Sequence, residues 1–211
     1  MKKGFTLAEV LITLGIIGVV AAITMPTLIA HYQKQVTVNQ LKKVYTVLSQ
    51  AVKQSELDND NAEYWDYTDS PKIFFEKYLK KYLKINEELE FQSLKEKGNI
   101  TYRYLNGGQA GGCIGNNVSY AVILSDGVFL IIDAYYPTDG SKFRTIAVDI
   151  NGYKRPNQLG KDVFYLQVVP FKGVIPYPVD DFSSCKKGKV GYSCAQKIIE
   201  DSWKITKDYP W

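Results

Sequence analysis

The chain has 211 residues, 45% of them hydrophobic, which is room for a membrane segment and one medium globular unit but not for two domains with separate cores. Its 26 basic and 22 acidic side chains are interspersed and leave a net charge of only +4, so no cationic stripe tracks a phosphate backbone and nucleic acid is not the expected partner. A single histidine, His31, excludes histidine-based triads and multi-histidine metal centres.

The first element is apolar. From Val10 to Ala30 no residue carries a charge, enough helix at about 1.5 Å per residue to cross a hydrocarbon layer of about 30 Å. Lys2 and Lys3 precede it and Lys34 follows, which orients the N-terminus toward the cytoplasm and the rest of the chain outward. A secretory signal peptide would have a shorter apolar core ending at a small-x-small cleavage site, and nothing after Ala22 offers one. A plain uncleaved anchor leaves Glu9 unexplained, because a carboxylate inside a membrane helix costs on the order of 3 kcal/mol and marks a functional partner. Gly15 and Gly18 make a small-residue face. Pro26 removes one helical hydrogen bond and predicts a kink or local melting.

Lys2-Lys3-Gly4 followed by Phe5-Thr6-Leu7-Ala8-Glu9-Val10-Leu11-Ile12 resembles the leader and helix start of type IV prepilins and type II secretion pseudopilins. The resemblance implies a leader over residues 1–4, cut between Gly4 and Phe5 by a prepilin peptidase, and N-methylation of Phe5. It makes residues 5–30 a transmembrane and assembly helix in which Glu9 is the fifth residue of the processed chain. There its carboxylate would pair with the freed amine of a neighbouring subunit and set axial register. Members of the family often carry a proline at about the place of Pro26, which implies a helix that bends or unwinds during assembly. The implied partners are homologous pilin or pseudopilin subunits, the peptidase, an inner-membrane assembly platform and the lipid bilayer. The implied location is the bacterial inner membrane, single-pass with the head outside, and then a pilus or pseudopilus.

Residues 31–211 are expected to form the head. Leu41, Val44, Tyr45, Leu48, Ala51 and Val52 continue at helical spacing, predicting a helix over 31–57 stopped by Asp58-Asn59-Asp60-Asn61. Ser70-Pro71 starts a second helix over 71–84, with Phe74, Tyr78, Leu79, Tyr82 and Leu83 on its apolar face. The stretch from Ile85 to Asn117 is assigned only a strand at Ile100 to Leu105. Its glycine run, Gly107 to Gly112, has no Lys-Ser/Thr after it to make a phosphate loop. From 118 to 169 the pattern is a β-meander, with strands at Tyr120–Leu124, Val128–Asp133, Phe143–Ile150 and Val163–Val169. Turns at Ser125-Asp126-Gly127 and Asn151-Gly152 separate them. The expected fold class is α+β, a long N-terminal helix, half membrane and half amphipathic, packed on an antiparallel meander as a single layer pair. Together with the resemblance this is a pilin-like architecture.

Cys185 and Cys194 bracket a short loop that a disulfide would close, stabilising a head outside the cytoplasm by roughly 2–3 kcal/mol. Three reduced thiols fit the same spacing, and Cys113 is left over in either case. A terminal helix is expected over Cys194 to Ile205, in a disulfide-closed region, 185–211, where pilins by resemblance carry their variable surface. Asp149, Asn151 and Asp162 are hard oxygen donors at loop positions, and some pseudopilins hold calcium in a C-terminal loop. The full ordered series of acidic ligands is missing here, and turn chemistry explains the same residues, so no cofactor is expected and calcium is the alternative. Asp126 and Asp133 fall at hairpin positions that imply no pocket, and Cys113 lacks a histidine to activate it. The reading is therefore a structural pilus or pseudopilus subunit without catalysis. Its alternative, kept open by 16 tyrosines, is a minor pilin at a filament tip that binds a ligand, a surface or DNA.

Overall fold

Among the described residues twelve short elements follow one very long helix, and the reason lies in where glycine, proline and Asx turns interrupt the apolar pattern. The computed structural model describes residues 4, 6–115, 118–135, 138–177 and 184–211. Two compact units emerge, Met1–Val36 and Thr37–Trp211.

Helix α1, Leu7–Asp58, remains helical through Pro26, so the melting expected there is not a property of the single subunit. From Leu7 to Tyr32 its large apolar side chains, such as Leu11, Ile12, Ile16 and Val19, are exposed. Within the second unit Thr37, Val38, Leu41, Val44, Leu48, Ala51, Val52 and Ser55 are buried, a stripe at three- and four-residue steps facing the core. Asn59 closes the helix, its Nδ2 donating to Ser55 Oγ at 3.1 Å.

Helix α2, Pro71–Tyr78, is capped by Ser70, whose hydroxyl accepts the Ile73 N–H at 3.3 Å. It stops six residues short of the expected end. Leu79 leaves helical geometry at φ −121°, and Lys80–Tyr82 tighten into a 3-10 turn. The turn buries Leu79 and Leu83 and hands the chain to strand β1, Ile85–Glu90. β1 has no sequence signature, because Asn-Glu-Glu-Leu-Glu is poor in strand formers. It is an edge strand, where charge is an asset against stray pairing, and two of its acids have local partners. Lys80 meets Glu88 at 2.8 Å and Lys97 meets Glu87 at 2.6 Å. Helix α3, Phe91–Gly98, follows at once and ends on left-handed Asn99. It buries Phe91 and Leu94.

The strand expected at Ile100 to Leu105 does not form; Arg103 makes only isolated bridges to Gln109 and Gln158. The sheet edge beside β2 is taken by β1. The backbone from Ile100 to Leu105 is held by loops instead, Arg103 N–H donating to Asn157 O and Leu105 N–H to Val190 O, both at 2.9 Å.

The remaining strands are β2 (Tyr120–Leu124), β3 (Phe129–Ile132), β4 (Arg144–Asp149), β5 (Val163–Val169) and β6 (Gly173–Pro176). They form one antiparallel sheet in sequence order, β1 to β6, with Tyr120 opposite Ile132, Phe129 opposite Asp149 and Arg144 opposite Val168. Helix α4, Cys194–Glu200, ends before the expected Ile205 because Ser202 and Trp203 turn left-handed.

Both sheet faces are covered, which replaces the single layer pair expected. On one face Val122, Leu130, Ile146, Val148, Phe164 and Leu166 belong to a core shared with α1, α2 and α4. On the other Ala121, Phe129, Ile131, Ala147 and Tyr165 pack with Phe91, Leu94, Cys113 and Leu159. That is why Tyr-Ala-Val-Ile-Leu and Phe-Leu-Ile-Ile read as unbroken apolar runs rather than alternating ones.

Candidate functional site

At the start of α1 the side chains of Thr6 and Glu9 serve each other. Thr6 donates to Glu9 Oε2 from its backbone N–H and from its hydroxyl, both at 2.8 Å, and its Oγ1 accepts the Glu9 N–H at 3.3 Å. This is a capping box, which satisfies otherwise orphaned N–H groups and sets a negative charge at the positive end of the helix. The sequence reading gave Glu9 only an intersubunit task and missed Thr6, although Thr-x-x-Glu ahead of an apolar run is the signal for such a cap. Gly4 is exposed, and Phe5, the other half of the expected cleavage site, lies outside the described residues.

Beyond the cap, an 18-residue window of α1 has a mean hydropathy of 2.3, with none of it buried. Its polar atoms are turned inward: Thr13, Thr24 and Thr27 return their hydroxyls to the carbonyls of Val10, Val20 and Thr24 at 2.8–2.9 Å. Gly15 and Gly18 face open space, where a Cβ would meet nothing within 4 Å. An apolar surface this large must be covered by lipid or by other helices.

In the head, Cys185 and Cys194 form a disulfide with Cα atoms 4.9 Å apart. The loop it closes is also held by Ser184 and Ser193, whose hydroxyls lie 2.8 Å apart. Cys113 is free and buried; its thiol donates to Ile131 O at 3.3 Å, and burial holds its pKa well above the usual range, the reverse of an activated nucleophile.

Asp149, Asn151 and Asp162 do come together, around the turn after β4. Asp149 accepts from the Tyr102 hydroxyl at 3.0 Å and from the N–H groups of Asn151 and Gly152 at 3.2 and 2.9 Å. Asp162 accepts from Asn151 Nδ2 at 3.1 Å and from the N–H groups of Asn157 and Gln158 at 2.7 Å each. Each carboxylate thus faces three N–H or O–H donors, and among the described residues no group of three or more His, Cys, Asp or Glu is placed to hold a metal. Burial raises the pKa of both, most strongly for Asp149, where the neighbouring Asp162 adds to the effect.

One arrangement has no sequence signal at all. Arg144 is fully buried and donates to three carbonyls, Asp133 O at 2.8 Å, Tyr67 O at 2.6 Å and Asp69 O at 2.7 Å, with its guanidinium 4.9 Å from the Phe74 ring centroid. It ties the loop before α2 to the sheet, a framework role. Asp133, expected at a plain hairpin position, instead lines a cavity.

Residues 1–25 match the prokaryotic N-terminal methylation motif. Taken with the capped, uncovered apolar helix, this defines a protein of the type IV prepilin or pseudopilin kind, and it points to a structural rather than an enzymatic protein. Residues 27–173, more than half of the chain, match a family of unknown function (DUF6613), and the chain belongs to that family. No curated protein and no solved structure matches it.

Proposed function

We propose that this protein is a structural subunit of a type IV pilus or a type II secretion pseudopilus, stored in the inner membrane and polymerised through α1. Residues 1–4 are the leader, a prepilin peptidase cuts between Gly4 and Phe5, and Phe5 is N-methylated. The segment 5–30 then spans the bilayer with the head outside. The observation that carries this reading is the methylation motif running directly into a helix whose apolar surface nothing within the unit covers. Such a surface is stable in lipid, and equally against the same segment of other subunits once the subunit leaves the membrane.

Glu9 has two tasks in succession on this reading. In the single subunit it completes the capping box with Thr6. In the filament its carboxylate meets the amine of Phe5 on a neighbouring subunit, and a charge that is expensive in an apolar bundle is offset only in the correct register. Pro26 lets the helix adjust as subunits pack. Cleavage is tested by intact-mass analysis after co-expression with a prepilin peptidase. A product beginning at Phe5 and carrying one added methyl group is expected, and retention of Met1 would sink the proposal. Glu9→Gln separates the two tasks of Glu9, since Gln also serves in a capping box but carries no charge. The variant should insert and be cleaved normally yet fail to assemble; filaments in normal yield would remove the register argument.

A further inference from the structure

The face of the sheet away from α1 carries a cavity of about 380 Å³. Its wall is aromatic. Tyr165 on β5 stacks on Tyr192 of the disulfide-closed loop, with ring centroids 5.3 Å apart. Tyr177, just after β6, stands edge-on to both, at 6.1 and 6.3 Å. Across from them Tyr135 and Phe143 pair at 6.3 Å. Asp133, at the end of β3, lines the same space, its Oδ1 fixed by the Tyr135 N–H at 3.1 Å. The hydroxyl of Tyr165 is buried there and makes no hydrogen bond of ordinary geometry, a state that buried phenols rarely tolerate without a partner.

We propose that this cavity binds an organic ammonium cation, held by the Asp133 carboxylate and the rings of Tyr135, Phe143, Tyr165, Tyr177 and Tyr192. Electron-rich rings attract a cation through their quadrupoles, and the attraction grows when water is excluded. A carboxylate in the same wall adds a full charge of the right sign. Among the described residues that line the cavity there is no lysine or arginine. Arg144, next to it in the chain, directs its guanidinium to the carbonyls of Asp133, Tyr67 and Asp69 and over the Phe74 ring. Burial raises the Asp133 pKa even though the Tyr135 N–H and the Arg144 charge pull it down, so a further cation beside the carboxylate would favour its charged form. The site belongs to the head alone, so it stands whatever filament the subunit enters.

The test is calorimetric titration of the full chain in dodecyl maltoside micelles with choline, with lysine amide, and with 3,3-dimethylbutan-1-ol, the uncharged isostere of choline. At least one of the two cations is expected to bind about tenfold or more tightly than the isostere, because shape alone cannot distinguish choline from it. Asp133→Asn should bring that cation and the isostere to similar affinities. Tyr135→Leu should weaken the cation several-fold; Tyr135 is 58% exposed, so this variant keeps the fold and carries the test if Asp133→Asn does not fold. Failure of both cations to outbind the isostere overturns the proposal, as does a cation affinity that neither variant changes.

Discussion

Breaking the Cys185–Cys194 bond removes a covalent constraint whose ends are nine residues apart in sequence. For a loop of that size the chain-entropy argument gives about 2.6 kcal/mol of stability at 25 °C, all of it from restricting the unfolded chain. The folded loop does not depend on the bond for its shape. Ser193 N–H donates to Ser184 Oγ at 2.8 Å, Cys185 N–H to Ser193 Oγ at 3.1 Å, and Gly191 N–H to Ser184 O at 2.9 Å. Reduction should therefore leave the native near-ultraviolet circular dichroism of the head intact while lowering its melting temperature by about 5–10 °C, at roughly 2–4 °C per kcal/mol for a unit of this size. The assay is thermal unfolding of the full chain in detergent, oxidised against reduced, with Cys185→Ala/Cys194→Ala as a control that cannot re-form the bond. The control should fall slightly further, since Cys194 is fully buried and its sulfur fills space. A reduced protein that melts within about 1 °C of the oxidised one would refute the unfolded-state argument. Loss of the native spectrum on reduction would refute the independence of the folded loop.

Gly152 sits at φ +63°, and a Cβ there would lie 2.5 Å from Gly127 O and against the Phe129 ring. Gly152→Ala should cost at least about 2 kcal/mol, read by denaturant titration, whereas Gly127→Ala, left-handed but in open space, should cost only about 1 kcal/mol. Asp149 titrates well above the usual carboxylate range because it is buried, so its folded pKa exceeds its unfolded one. The stability it contributes is full below the ordinary aspartate pKa and is lost as pH rises through the raised value. Asp149→Asn keeps the turn's acceptor and lets the Tyr102 hydroxyl reverse its role. Wild-type stability relative to this variant should fall as pH rises from about 4, and a difference independent of pH would contradict the burial argument. Finally, calcium in millimolar excess should leave the melting temperature unchanged, because the carboxylates of Asp149 and Asp162 already face three donors each; a rise of several degrees would restore the metal reading.

The N-terminal helix was legible in the sequence because its physics is local. A charge-free run long enough to cross a bilayer, one acid beside a Gly4-Phe5 step, and helical spacing from Leu41 to Val52 depend on neighbours within a few turns. Caps and turns are equally local, which is why Ser70-Pro71 and Ser125-Asp126-Gly127 read correctly, and why Thr6-x-x-Glu9 was open to the same reading. The six-stranded sheet was legible only in its centre, where β2 to β5 carry apolar runs. Its edge β1 was not, because a strand of glutamates forms only when β2 offers its hydrogen bonds and Lys80, Lys97 and Tyr120 stand opposite the acids. Coverage of both faces was equally out of reach, since nothing in Phe91 or Leu94 says which side of the sheet they will close. Burial of Arg144 and the cavity beside Asp133 required five or more segments distant in sequence to converge. The sequence by itself determined the capped apolar helix and its membrane chemistry. Only the tertiary structure decided which charged groups of the head would be taken out of water, because desolvation is set by the neighbours that packing brings and not by those along the chain.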